Sequence, residues 1–156
     1  MPARNMTIRP ASLDDIPEIL RQRRAMYEDM EYHDSAALTA MADLSADYLA
    51  KHMAEGSFRA WLASDANRIV AGAALIVTPW LAHPYDLECR RATILNVYTY
   101  PEYRRRGIAR QLLLAILDDC HRENLAGVTL HASRDGRHLY ESLGFEPSNE
   151  MRLKLR

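Results

Sequence analysis

The sequence predicts a mixed α/β fold, with a mostly antiparallel central sheet flanked by helices. Three observations lead there. Apolar residues recur at helical spacing in three long segments and alternate in the segments between them. The elements follow in the order β-α-α-β-β-β-α-β-α-β, with consecutive strands that favour antiparallel pairing in the first half. Of the 156 residues, 48% are hydrophobic, enough for one sizeable core and a single domain over residues 1–156.

Met6-Thr7-Ile8-Arg9-Pro10 alternates and stops at proline, as a short strand does. Ser12 or Asp14 caps the next helix, and Pro17 sits in its first turn, where a missing N–H costs little. Ile16, Ile19, Leu20, Tyr27 and Met30 carry the helical period. His33 to Ser35 breaks it, and a second helix runs from Leu38 to Ala54 with Gly56 as its C-cap. Phe58–Ala63 and Ile69–Val77 read as a hairpin turning at 64–67, with Gly72 marking a bulge or a close backbone approach. Leu81–Arg90 reads as a surface loop. Ala92–Tyr100 is a strand rich in branched and aromatic residues, stopped by Pro101.

A long helix from about Arg105 to Glu123 follows, with Ala109, Leu112, Leu113, Ile116, Leu117 and Cys120 as its apolar stripe. Asp118 and Asp119 fall on its outward face. Val128–Ala132 is the next strand, and Asp135–Leu143 a short helix ended by Gly144. Met151–Leu155 alternates as a final strand.

Twenty basic and twenty-one acidic residues leave a formal net charge of −1, so no overall field favours nucleic acid or an anionic membrane as partner. Cys89 and Cys120 form neither a CxxC pair nor a zinc spacing, and read as reduced thiols of a cytoplasmic protein. Residues 1–10 lack the apolar core of a signal peptide, and no apolar run is long enough to span a bilayer. The six histidines form no metal-binding pair, so no metal is expected.

The chemistry concentrates where strand, proline, basic turn and helix meet, at Asn96–Ala109. A helix N-terminus offers free N–H groups and partial positive charge. Gly107 lets that backbone approach a ligand closely, and Arg104, Arg105 and Arg106 add forked cationic donors. Such a turn suits a pyrophosphate. Neither a GK[ST] nor a GxGxxG pattern accompanies it, which disfavours a kinase or a dinucleotide dehydrogenase. By itself it equally fits a solvated charge run or a nucleic-acid patch.

Arg104-x-x-Gly107-x-Ala109 resembles the Gln/Arg-x-x-Gly-x-Gly/Ala signature of the GCN5-related N-acetyltransferase (GNAT) family. Val97-Tyr98-Thr99-Tyr100-Pro101-Glu102-Tyr103 resembles that family's strand before the turn. Ala132–Phe145, ending in Leu139-Tyr140-Glu141-Ser142-Leu143-Gly144-Phe145, resembles its later LYxxxGF motif. The resemblance covers almost the whole chain and implies the GNAT-type acyl-CoA N-acyltransferase fold.

It also implies roles for individual residues. Backbone amides from Arg105 through Arg110, with Ile108 and Ala109 among them, would hold the pyrophosphate of acetyl-CoA. Arg104 would support the turn or a phosphate. Val97, Tyr98 and Thr99 would pair with the pantetheine arm along an open strand edge, a form of β-augmentation. Ser133 stands where the family often has asparagine, and either contacts the cofactor or caps the short helix. Tyr140 matches the tyrosine that protonates the leaving thiolate, a role its ordinary pKa of about 10 allows. Packing in the core is the alternative for Tyr140.

No general base stands out among Glu28, Asp29, Glu31, Asp86 and Glu88. Tyr27, Tyr32, Trp80 and Tyr85 lie on segments that line the acceptor cleft in such folds. The expected reaction is transfer of acetyl to a primary amine of a small molecule. The alternatives are a protein N-terminal or lysine acetyltransferase, and a non-catalytic CoA-binding module. A homodimer through the last strands is a further implication of the resemblance.

Overall fold

A computed structural model describes residues 6–156. Its alternating first strand, β1 (Met6–Pro10), pairs antiparallel with β2 (Phe58–Asp65), Met6 opposite Asp65 and Pro10 opposite Trp61. Two helices fill the interval, α1 (Ile16–Asp29) and α2 (Ser35–Glu55). Ser12, one of the two expected caps, stands at the N-cap of a 3₁₀ turn (Leu13–Asp15) that runs directly into α1, and the capping box is closed by Asp15. Its carboxylate accepts from the Ser12 N–H at 2.7 Å and from both terminal nitrogens of Arg9 at 2.8 Å. These bonds hold the Asp15 carboxyl down at a pKa of about 2. Asp34 caps α2 by accepting from the Ala37 N–H at 3.0 Å, so this helix begins three residues before the expected Leu38.

β2 turns through Ala66 and Asn67 into β3 (Arg68–Pro79), which pairs antiparallel with β4 (Arg90–Thr99). The crossover helix α3 (Ile108–Arg122) then leads to β5 (Val128–Leu130), parallel to β4. The sheet order is β1-β2-β3-β4-β5, mixed and mostly antiparallel as expected. A short helix α4 (Arg137–Ser142) follows.

Alternation along the strands sends side chains to two cores. On one face Val70, Ala73, Leu75 and Ile94 meet Ile108, Leu112, Leu113, Ile116 and Cys120 of α3. On the other, Phe58, Ala60 and Ala74 meet Ile19 of α1 and Leu49 of α2. Gly72 fulfils both expectations placed on it. The β3–β4 register shifts beside it, and a Cβ there would lie 2.3 Å from Gln22 Oε1 of α1.

Two expectations need correction. Asp119 does not simply face solvent: Arg59 of β2 reaches across to both Asp119 and Glu123, pinning the end of α3 to the sheet. Met151–Leu155 forms no strand; from Phe145 onward the chain has no regular secondary structure, and Met151, Leu153 and Leu155 are exposed. Alternation makes a strand possible, but a strand also needs a neighbour to satisfy its N–H and C=O groups. Among the described residues no strand is paired with it.

Candidate active site

The site begins with an irregularity in β4. Gly72 pairs with Tyr98 and Ala74 with Leu95, so two residues of β4, Asn96 and Val97, oppose the single residue Ala73. Asn96 takes the left-handed conformation, φ +54°, which asparagine tolerates better than most residues. Its side chain turns inward, only 8% of the residue is exposed, and Oδ1 accepts from Arg23 Nη1 of α1 at 2.6 Å.

β4 keeps its pairing with β3 beyond this bulge, through Tyr98 and Thr99, but parts from β5 just before it. β5 pairs with Ala92, Thr93 and Ile94 and goes no further. Leu95 to Thr99 therefore keeps one edge unpaired by β5. Val97, Tyr98 and Thr99 lie on this stretch, as expected.

Pro101–Tyr103 makes a turn of 3₁₀ helix, and the basic turn follows. Arg105 and Gly107 both have positive φ, +63° and +76°. Gly107 is the N-cap of α3, so the helix starts at Ile108 and not at Arg105. Gln111 is the first residue to bond back, donating to the Gly107 carbonyl at 3.2 Å. The amides of Ile108, Ala109 and Arg110 thus have no acceptor within the helix, the arrangement that favours an anion.

The arginines of the turn divide their work. Arg104 donates from Nε to the Thr99 carbonyl at 2.9 Å, pairs with Asp29 of α1, and lies over the Tyr98 ring at 5.6 Å. Its guanidinium braces strand, turn and helix together. Arg106 donates to the Glu102 carbonyl at 2.8 Å and covers the Tyr103 ring. Arg110 Nη1 donates to Ser142 Oγ at 3.0 Å, tying the first turn of α3 to α4. Among the described residues, Arg105 makes no side-chain hydrogen bond or ion pair, and it is exposed.

Tyr140 of α4 is 8% exposed and packs in the core cluster that holds Ile108, with Val97 against its border. Phe145 meets its ring edge-on at 6.0 Å between centroids. Burial raises its phenol above the ordinary tyrosine value. Ser133 Oγ accepts from the Gly136 N–H at 3.1 Å, a turn contact that leads into α4, whose N-cap is Gly136 itself.

The aromatic residues singled out beforehand lie on or just after α1 and in the loop after β3. Tyr27 sits under Arg23 and meets Tyr32 edge-on at 5.4 Å. Trp80 and Tyr85 are exposed, Trp80 beneath the Arg91 guanidinium. Of the carboxylates considered as bases, Asp29 is paired with Arg104 and Glu28 with Arg24. Tyr100 donates to Glu18 Oε1 at 3.0 Å, and burial with this partner pushes its phenol up to about 12. Among the described residues no three His, Cys, Asp or Glu side chains gather in metal-binding geometry, and no helix is long and apolar enough to cross a membrane.

Sequence reasoning missed Arg23 and Asn96. The signal for Asn96 was present: asparagine is disfavoured inside a strand unless the backbone departs from it. Arg23 gave none, since one arginine among several on a helix looks like any other.

A parallel crossover, a strand splayed from its neighbour at a bulge, and a glycine turn opening a helix together define an acyltransferase frame. The family model for the acetyltransferase (GNAT) domain matches residues 7–148, and the chain belongs to this family. It is an N-acetyltransferase. A GCN5-related N-acetyltransferase from Ralstonia eutropha JMP134 is 33% identical, covering 97% of this chain and 99% of that one, with a TM-score of 0.89. A predicted acetyltransferase from Clostridium acetobutylicum, crystallised with acetyl-CoA, is 26% identical over 97% of this chain and 96% of that one, at TM-score 0.86. A ribosomal-protein-alanine N-acetyltransferase from Brucella melitensis biovar Abortus 2308 shares the fold at 19% identity and TM-score 0.71, over 97% and 98% of the two chains. No curated protein matches the chain.

Proposed function

We propose that this single domain binds acetyl-CoA along β4 and the α3 turn and transfers its acetyl group to a primary amine of a small molecule. The observation that carries the reading is the continuity of three features. They are the unpaired edge of Leu95–Thr99, the open amides at Gly107–Arg110, and Tyr140 in the cluster that joins them.

Acetyl-CoA supplies an activated acyl carbon and a thiolate leaving group. The chain supplies binding and proton placement. The amides at the start of α3 meet the pyrophosphate, with Arg105 as the cation free to join them. The edge of Val97, Tyr98 and Thr99 offers main-chain donors and acceptors to an amide-bearing arm. The Val97 amide, at the bulge, binds the negative charge that develops on the thioester oxygen as the amine attacks. The new C–N bond forms as the C–S bond breaks. Tyr140 donates its phenolic proton to the departing sulfur, and burial keeps that phenol protonated until then. The proton lost by the amine leaves to solvent.

The small size of the acceptor is supported by how α1 meets β4. Arg23–Asn96 and Asp29–Arg104 hold that helix close to the bulge end of the strand, an arrangement suited to a small amine. The test is thiol release from acetyl-CoA across a panel of small amines and peptides, with the product weighed by mass spectrometry. Turnover on small amines supports the reading. Acetylation of peptides alone would replace the acceptor class, and no release with either would remove the reading.

A further inference from the structure

Helix α1 carries three arginines, Arg21, Arg23 and Arg24, and three carboxylates, Glu18, Glu28 and Asp29. Two of the arginines pair within the helix, Arg21 with Glu18 at 2.8 Å and Arg24 with Glu28 at 2.9 Å. The third carboxylate, Asp29, goes to Arg104 of the basic turn. Among the described residues Arg23 has no such partner, and residues 1–5 contain no Asp or Glu. Its helical neighbours explain why. Leu20 and Met26 stand three residues away, Ile19 and Tyr27 four away, and none is acidic.

What Arg23 has instead is neutral. Nη1 donates to Asn96 Oδ1 at 2.6 Å, and Nη2 meets the Tyr27 hydroxyl at 3.5 Å. The Tyr27 ring lies under the guanidinium, and Tyr32 stands edge-on against that ring. These contacts fix the fork and leave its other N–H groups open. Arg23 is also partly buried. A held cation, part withdrawn from water and given no counter-charge, costs free energy that an arriving anion recovers.

Its place gives the charge a use. Asn96 directly precedes Val97, whose amide is the proposed seat of the thioester oxygen. Covalent geometry keeps Arg23 Nη1 no more than about 8 Å from the Val97 nitrogen. A molecule of a few heavy atoms spans from that guanidinium to an acetyl carbon held at the amide.

Charge narrows the ligand further. Arg21, Arg24 and Arg104 are already neutralised by α1 carboxylates, so Arg23 alone brings uncompensated charge from this helix. One planar fork suits a carboxylate, a planar monoanion, while a phosphate dianion calls for a second cation.

We infer that the acceptor is an amine that also bears a carboxylate, and that Arg23 binds this carboxylate while the amine faces the acetyl carbon. The inference deepens the proposed acetyl transfer and rests on it for the reaction; binding of the carboxylate does not depend on turnover. Arg23 thus sets specificity as well as gripping the bulge.

The test compares the common amino acids, β-alanine and γ-aminobutyrate, each beside its own carboxamide. The α-amino amides have the less basic amines, with more free base at neutral pH, so intrinsic reactivity does not favour the acids. Wild type should still prefer the best acid over its amide by about 10- to 100-fold in kcat/KM. Arg23→Gln should bring that ratio to about one, chiefly through KM. Arg23→Lys keeps the charge without the fork and should give an intermediate ratio. Asn96→Asp keeps Arg23 and hands it the missing carboxylate, in a residue that also tolerates positive φ. It should abolish the preference too, and it decides the matter if Arg23→Gln fails to fold. Damage to the bulge alone would slow acid and amide together and leave the ratio where it was.

Wild type that acetylates the amides as well as the acids, or a ratio unmoved by these substitutions, would overturn the inference and leave acetyl transfer standing. If no amine of either kind is acetylated, the acetyl-transfer reading fails, and calorimetry of the same amino acids with the CoA-saturated chain decides the rest. Binding of an acid that weakens about 10-fold or more in Arg23→Gln upholds the carboxylate site, and absence of binding removes it.

Discussion

Arg23 Nη1 donates to Asn96 Oδ1 at 2.6 Å, so helix α1 grips the bulge of β4 across 73 residues of sequence. The bond does two things at once. It satisfies a buried amide oxygen, and it holds the left-handed residue just before the Val97 amide. Asn96→Ala should lower stability by about 2 kcal/mol or more, because alanine resists positive φ and Arg23 loses its acceptor. Asn96→Gly should cost less in folding and still lower kcat, since glycine keeps the φ and loses the bond. A double-mutant cycle with Arg23→Ala, read by denaturant unfolding, should return a coupling of about 1.5–3 kcal/mol.

Acetyl-CoA and CoA should both raise Tm, because only the folded chain assembles strand edge and turn. At a hundredfold excess over Kd the gain is about 2.7 kcal/mol, or roughly 5–10 °C for a chain of this size. Thermal shift assays read it directly. Absence of a shift with either ligand would remove the proposed track.

Gly107 has φ +76°, and a Cβ there meets no atom within 4 Å. The cost of Gly107→Ala is therefore conformational, about 1 kcal/mol. Acetyl-CoA affinity should fall by more than stability does, because the new Cβ stands where the amides meet phosphate. Gly107→Asn, better suited to positive φ, should recover most of the stability. Calorimetry and melting curves on the two variants make the comparison.

Tyr140→Phe keeps the buried ring and removes the proton. It should lower kcat by about 100-fold while the Kd for acetyl-CoA moves little. Because burial raises the Tyr140 phenol, the wild-type rate should show no fall from its ionisation below about pH 10. Unchanged kcat in the variant would return Tyr140 to a packing role.

Asp15 is held at a pKa of about 2 by Arg9 and the Ser12 amide, against an ordinary value near 3.8. A folded-state pKa below the unfolded one contributes stability that is present above the unfolded value and lost as pH falls through the folded one. Asp15→Asn should cost about 2 kcal/mol at neutral pH. The gap between wild type and variant should close between roughly pH 4 and pH 2, as acid titration of unfolding would show.

Local chemistry explains which features were legible beforehand. The turn at Arg104–Ala109, the stripe on α3 and the cap at Gly56 depend on neighbours a few residues apart, and periodicity reports those directly. The motif at Leu139–Phe145 singled out Tyr140, which the fold packs into the α3 core. Three details escaped because they depend on distant partners. The Arg104 guanidinium turns back to Thr99 and Asp29, Asp119 turns in to Arg59, and Asn96 is held by Arg23. Alternation in Met151–Leu155 was read correctly as a pattern and wrongly as a strand formed within this chain.

The sequence alone thus determined the order of elements as far as α4, the glycine turn that opens α3 and the family to which they belong, since glycine placement and apolar period act through local backbone sterics. Only the tertiary structure decided where β4 bulges, where β5 leaves it, and which cation of the turn stays free. Those outcomes arise from side chains and strands brought together across the fold, where burial and pairing select one geometry among several that the local sequence permits.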